Sequence, residues 1–301
     1  MSNRISIDFM SGRSPSKMPK TGSTFFNKAL NLFFYLLPLI LLLGPQSSWA
    51  KTTFEARNKD YLTVCGDPNH MPFSNKAMEG FENRIAQLIA DDLNRTLRYR
   101  WWPQTVGFVR NTLSVRLCDL VMGVTSVNEL LQNTNPYYRS VYTLVYRENA
   151  GLQIQSLDDP TLKGLKIGVV AGTPPATLLS KYGLMDQVRP YQRTVDTRLY
   201  SPATQAIEDV AEGNLDIAVI WGPIAGYAST QQKTPLSIIP LPAKVDSVPM
   251  AFNVSMGIRR RESNWKHQLN MELEKLTPSI QKILLEYKIP LLDRNDRLIK
   301  P

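Results

Sequence analysis

Cys65, Asp67 and His70 lie within a six-residue span of the stretch YLTVCGDPNHMPFSN, residues 61–75. Three kinds of chemistry use such a set. A cysteine nucleophile needs a base and a depressed thiol pKa; His70 is the imidazole at hand, since His267 falls in the C-terminal helical region. A metal site would draw three ligands from one loop, although softer metals usually find more cysteine or histidine than this. The third possibility is structural. The chain has two cysteines, Cys65 and Cys118, and an even count in an oxidising compartment reads first as one disulfide.

Such a compartment is implied by the N-terminal residues. From Asn27 the chain reads NKALNLFFYLLPLILLLGPQSSWAKTT, with a basic lead ending at Lys28 and an apolar run from Leu30 to Leu43. Ser48-Trp49-Ala50 then places small residues at −3 and −1 of a cut, the layout of a secretory signal peptide. Pro38 and the shortness of the run argue against a retained spanning helix, which needs ~20 apolar residues. The expectation is a signal peptide over 1–50, a periplasmic mature chain and no stable membrane anchor. Cleavage would remove Arg4, Arg13, Lys17, Lys20 and Lys28 against Asp8, lowering the formal charge of +9 by four. The remaining excess is scattered apart from Arg259-Arg260-Arg261. A basic stripe with interleaved aromatics is missing, so no nucleic-acid partner is expected.

The elements that must position these residues alternate between strand and helix. YLTVCGD reads as a strand; EGFENRIAQLIADDLN places Ile85, Leu88, Ile89 and Leu93 at helical spacing. LRYRWWP alternates, with Leu97, Tyr99 and Trp101 on one face. VGFVRNTLSVRL is a second helix candidate and CDLVMGV a buried strand. After Asp158 a second cycle begins: LKIGVVAGTPPATLLSKYGL is strand, turn and helix, with Pro174 or Pro175 in a first helical turn. SPATQAIEDVAEGNLDIAVIWGP is helix then strand, stopped at Gly213 and Asn214. NWKHQLNMELEKL and PSIQKILLEYKI read as two closing helices. Between the cycles lies YTLVYRENAGLQI, and after the second VPMAFNVSMGIRR, both extended. Alternating strands and helices indicate parallel α/β sheets, and two extended crossings suit a hinged molecule of two lobes.

This layout resembles the periplasmic solute-binding proteins of the amino-acid-binding kind (family 3, type II), on four landmarks. They are GFENRIAQLIADDL, CDLVMGVTS with NPYYRSVYTLVYR, LKIGVVAGT, and EGNLDIAVIWGPIAGY, together spanning roughly Tyr61 to Leu292. The resemblance implies an α/β fold of two lobes, each a mostly parallel sheet flanked by helices. The expected division is 51–147 for the first part of lobe 1, 148–246 for lobe 2, and 247–301 for the return crossing and C-terminal helices. It departs from that family where ligands are gripped. Asn128, in VTSVNELL after Thr125, stands where amino-acid binders carry a carboxylate-gripping arginine, and Trp221 where they carry an acid. An amide and an indole do not replace an ion pair in a desolvated cleft, so a free α-amino acid is not the expected ligand. VCGDPNHMPFSN, GFENRIA, WWPQTVGFVRNTL, CDLVMGV and PYYRS together are similar to the MoxJ/MxaJ/XoxJ family, accessory proteins of bacterial methanol oxidation. That likeness implies a non-enzymatic periplasmic protein without a cofactor, partnered by a quinoprotein methanol dehydrogenase, with its cytochrome c as a second candidate. The alternative is the substrate-binding component of an ABC transporter for a small organic solute unlike an amino acid.

In this fold the first and third strands are neighbours, which favours Cys65–Cys118 pairing and takes the central atom from the catalytic and metal readings. Asp67 and Asn69 then sit at the carboxyl end of a strand, where open α/β sheets place ligands, although Asp-Pro-Asn is equally a turn. Trp101 and Trp102 offer one ring to the core and one to a cleft or partner. Tyr137 and Tyr138 match a cleft rim or a core. Gly172-Thr173 before a helix offers N–H groups to an anion or is a plain cap. Trp221 marks a place where ligands are held. Arg110, Arg139 and Arg259-Arg260-Arg261 are partner contacts or, more commonly for such runs, solvated faces.

Overall fold

Tyr61–Gly66 forms strand β1, in which Leu62, Val64 and Cys65 are buried, and the computed structural model builds outward from it, describing residues 58–125 and 129–300. The expected leader over 1–50 and Asn128 lie outside the described residues. Two short strands, β2 (Asn69–His70) and β3 (Ser74–Asn75), pair as a small ribbon before helix α1 (Phe81–Asp92). Helix α1 buries Phe81, Ile85, Ala86 and Ile89, the stripe that its 3.6-residue repeat lays along one side. Its N-cap Gly80 touches the loop so closely that a Cβ there would stand 2.1 Å from the Phe73 carbonyl oxygen.

Strand β4 (Thr96–Trp101) pairs parallel to β1, which also pairs parallel to β5 (Leu120–Val124), with Cys65 opposite Val121. Between β4 and β5 the expected helix shrinks to the four residues of α2 (Phe108–Asn111). Leu113 and Cys118 must both reach the small core of Cys65, Phe108 and Val121. A straight helix would not turn both inward; the backbone instead bends at Thr112 and takes a positive φ of 63° at Arg116.

Strand β6 (Gln132–Arg147) is the long axis of the molecule. Its second half pairs antiparallel with two strands of the second cycle. That cycle contributes β7 (Ile167–Val170), helix α3 (Pro174–Lys181), β8 (Val188–Tyr191), helix α4 (Pro202–Glu212), β9 (Ile217–Trp221), helix α5 (Gly222–Thr230) and β10 (Leu236–Pro240). A ribbon of β11 (Lys244–Val245) and β12 (Val248–Pro249) leads to β13 (Ala251–Ile258), which pairs with the first half of β6 and with β5. The strand order β4-β1-β5-β13-β6-β9-β7-β8, with β10 also on β6, makes one mixed sheet with two wings. Each wing is covered by its own helices and encloses its own apolar core, one around Phe81, Ile85 and Trp265, the other around Leu144, Ile167 and Leu178. This is the two-lobed α/β architecture of type II periplasmic binding proteins.

The two helices expected at the end are one, α6 (Ser263–Glu286), with Pro278 inside it. Proline removes an N–H and crowds the preceding turn, yet Leu269, Leu273, Leu276, Ile280 and Ile283 are buried on both sides of it. Continuous burial carries the helix through its weak point.

Candidate functional site

Asp67 ends the first strand's run and is 1% exposed. One carboxylate oxygen accepts from the Asn69 N–H (2.9 Å) and the Thr197 hydroxyl (2.6 Å), the other from the Gln104 N–H (2.7 Å). Asn69 adds a bond from its amide to the Thr197 carbonyl, 2.9 Å. Thr197 belongs to the segment after β8, in the second wing. Asp67 and Asn69 therefore clasp the two wings together across the mouth of a cleft, with Asp67 in a positioning role.

The cleft has a volume of about 820 Å³. Its first-wing wall carries His70, Phe73, Glu82 and Tyr138; its floor, at the shared strands, carries Tyr142, Trp221 and Phe252; its second-wing wall carries Gly172, Thr173, Arg193 and Thr197. Tyr142, Trp221 and Phe252 pack edge to face, with ring centroids 5.2, 6.0 and 6.3 Å apart. Edge-to-face pairs of this kind are a favoured aromatic geometry, so the three rings support one another as a rigid floor.

Glu82 is the residue that sequence reasoning passed over. It is 4% exposed, and burial raises its pKa from 4.5 to about 8, against the modest opposing effect of the Tyr137 hydroxyl. The Tyr137 Oη donates to Glu82 Oε1 (3.3 Å) and accepts from the Gly123 N–H (3.1 Å). The N-terminus of α1 offers the acid little, because the Phe81 and Glu82 N–H groups are given to the carbonyls of Pro72 and Phe73 (2.8 and 2.9 Å). Gly123, at a φ of 73°, leaves room for it; a Cβ there would stand 2.6 Å from Glu82 Oε1. A signal existed in the sequence: Glu82 shares a helical face with Ile85, Ala86 and Ile89, where an acid is out of place.

The other expected residues divide between cleft and surroundings. Thr125, Tyr138, Gly172, Thr173 and Trp221 line the cleft. Tyr137 supports it through Glu82. At the Gly172-Thr173 turn the Thr173 hydroxyl donates back to Val170 (2.6 Å), Gly172 accepts from Arg193 (3.0 Å), and Pro174 has no N–H to give. Trp101 stacks on Tyr99 at 4.3 Å, and Trp102 is 41% exposed on the outer surface; neither lines the cleft. Arg110 is exposed at the end of α2.

Cys65 and Cys118 form a disulfide with Cα atoms 5.6 Å apart. The thiol nucleophile and the loop metal site are thereby excluded. Arg259 departs from the solvated-face reading of its run: it pairs with Glu262 (2.7 Å) and donates to the Cys118 carbonyl, holding the disulfide loop, while Arg260 and Arg261 are exposed. Arg139 pairs with Asp296 at 2.6 Å. His70 is kept below its ordinary pKa of 6.5 by burial, against the pull of Asp67 and Gln104. Among the described residues no cluster of three or more metal-ligating side chains occurs, and no helix is long and apolar enough to cross a membrane.

The family model for bacterial extracellular solute-binding proteins matches residues 123–269. The crystal structure of the periplasmic binding protein XoxJ from Methylobacterium extorquens AM1 superposes with a TM-score of 0.67 at 42% identity, covering 77% of this chain and 100% of that one. The chain belongs to the MoxJ/MxaJ/XoxJ family of periplasmic binding proteins. MxaJ from Methlophaga aminisulfidivorans MPT gives the same TM-score of 0.67 at 29% identity, with 77% and 100% of the two chains covered. Protein MoxJ from Methylorubrum extorquens is 29% identical over 246 residues, 77% of this chain and 81% of that one. An ancestral cationic amino acid solute-binding protein, at 20% identity and a TM-score of 0.62, shares the fold. Within the J family, then, this chain presents a clasped cleft with an aromatic floor and one buried acid in its wall.

Proposed function

We propose that this protein is a non-enzymatic periplasmic accessory of a quinoprotein (PQQ) methanol dehydrogenase, serving its assembly, maturation or activity. The proposal includes a cleavable leader over 1–50, lobe limits at 51–147, 148–246 and 247–301, and the dehydrogenase, with its cytochrome c, as partner. The observation that carries it is the likeness to XoxJ along that protein's whole length, at 42% identity. Support comes from the cleft, where Tyr138, Thr173, Trp221 and their neighbours form a mostly neutral surface with an aromatic floor, suited to an exposed peptide segment. Buried aromatic anchors are what such surfaces use for affinity. Pull-down from periplasm with the tagged protein should retain the dehydrogenase, and a deletion strain should lose methanol oxidation. Normal oxidation together with an empty pull-down would overturn the reading.

A second reading is favoured by the cleft volume of about 820 Å³, within the range of small-molecule pockets: the substrate-binding component of an ABC transporter for a small organic solute unlike an amino acid. It requires uptake that depends on this protein. A deletion strain with unchanged uptake of every solute that stabilises the protein to heat would exclude it.

A further inference from the structure

Glu82 is, among the described residues, a buried acid without a counter-charge. Among the described residues its hydrogen bond comes from Tyr137, at 3.3 Å, and the burial that isolates it from water leaves the acid facing the cleft. Arg193, on the opposite wall, is exposed and donates to the Gly172 carbonyl at 3.0 Å. Beside Glu82 in the same wall stands Tyr138, and the cleft floor is the cluster of Tyr142, Trp221 and Phe252. An acid beside aromatic rings in an otherwise nearly neutral cleft is an arrangement that recognises ammonium and guanidinium groups.

We propose that the cleft takes an organic cation, its charged head against Glu82 and Tyr138 and its apolar body on Tyr142, Trp221 and Phe252. The cation is either a free alkylammonium solute or a lysine or arginine side chain on a partner's loop. The inference rests on the cleft being the working surface in the proposed function, and not on which protein is the partner. A neutral ligand accepting a hydrogen bond is the competitor. It would leave the acid protonated, whereas a cation must drive the proton off, so binding releases one proton from Glu82 to solvent. The groups facing Glu82 are Tyr137 and Tyr138 from β6, Tyr99 from β4 and His70 from the loop; the phenols are held above their ordinary values and His70 below its own. None of them titrates between pH 7 and 9.5 in the folded protein, which leaves that window to Glu82.

The test is calorimetric titration of the mature protein with choline, with its neutral isostere 3,3-dimethylbutanol, and with N-acetyl-lysine methylamide, in buffers of different ionisation enthalpy. Choline or the lysine amide should bind with close to one proton released at pH 7 and almost none at pH 9.5, the affinity rising about ten-fold between them. Which of the two binds identifies the source. Glu82→Gln, which keeps a hydrogen-bond donor, should abolish the proton release and weaken binding at least ten-fold at pH 9.5. Equal binding of the neutral isostere, or unchanged cation affinity in Glu82→Gln, would overturn the proposal. Dehydrogenase capture that survives this substitution, with no cation binding in either protein, would sink the cation reading and leave the partnership standing. Cation binding without capture would do the reverse.

Discussion

A single carboxyl group shapes the chemistry of the cleft, and its cost is measurable. Glu82 is bound to its proton in the fold at pH values where an unfolded chain has released it, since burial raises its pKa from 4.5 to about 8. Stability from this group is therefore complete below about pH 4.5 and is lost as pH rises through 8. Glu82→Gln should match the wild type near pH 4 and exceed it by ~5 kcal/mol near pH 9, at 1.36 kcal/mol per pKa unit. Urea denaturation across that range is the check, and parallel curves would show that the acid is solvated. Gly123→Ala should lose stability at every pH, because its methyl group would enter the space of Glu82 Oε1. Sequence reading singled out Trp221 by its position in the fold and Thr173 by the turn before a helix, but overlooked Glu82, since a lone acid in a helix is ordinarily taken for its solvent face.

At the scale of elements, the main strands and helices of both cycles were legible in the sequence, whereas β8, β10, helix α5 and the short ribbons were not. Periodicity identified α1 and α4 because each buries one regular stripe, and β5 showed as a continuous apolar run. It missed at α2, where a disulfide and the Leu113 side chain override the helical repeat, and at Pro278, where burial overrides a breaker. The disulfide closes a loop with a separation of 53 residues. Replacing both cysteines with alanine should lower stability by about 4 kcal/mol by the loop-entropy relation. A change below 1 kcal/mol in denaturant would mean that Arg259 holds the loop unaided. Helix α5 carries a different constraint. At Gly226 a Cβ would meet the Lys288 carbonyl oxygen at 2.0 Å, and at Gly222 the Val141 carbonyl oxygen at 2.5 Å. Gly226→Ala should cost about 2–4 kcal/mol through forced displacement of the segment after α6, read as a lowered thermal midpoint; an unchanged midpoint would mean that the segment yields freely.

For the whole molecule, two lobes joined by two extended crossings followed from the order of elements, whereas the clasp between them did not. Asp67 and Thr197 are 130 residues apart, and nothing local relates a strand-end aspartate to a threonine in a loop of the other wing. Thr197→Val removes one donor from a carboxylate that keeps two, and should cost about 1 kcal/mol while shifting the population toward an open form. Small-angle scattering should then give a larger radius of gyration than the wild type, and identical profiles would mean that the clasp does not govern opening.

The same clasp has a kinetic consequence. If the clasp governs opening, the observed affinity is the intrinsic one scaled by the fraction of molecules in which Asp67 and Thr197 have parted. A variant with a looser catch would capture faster and release faster. In the native molecule, residence time and access would then be set together by the two bonds that Thr197 makes to Asp67 and Asn69.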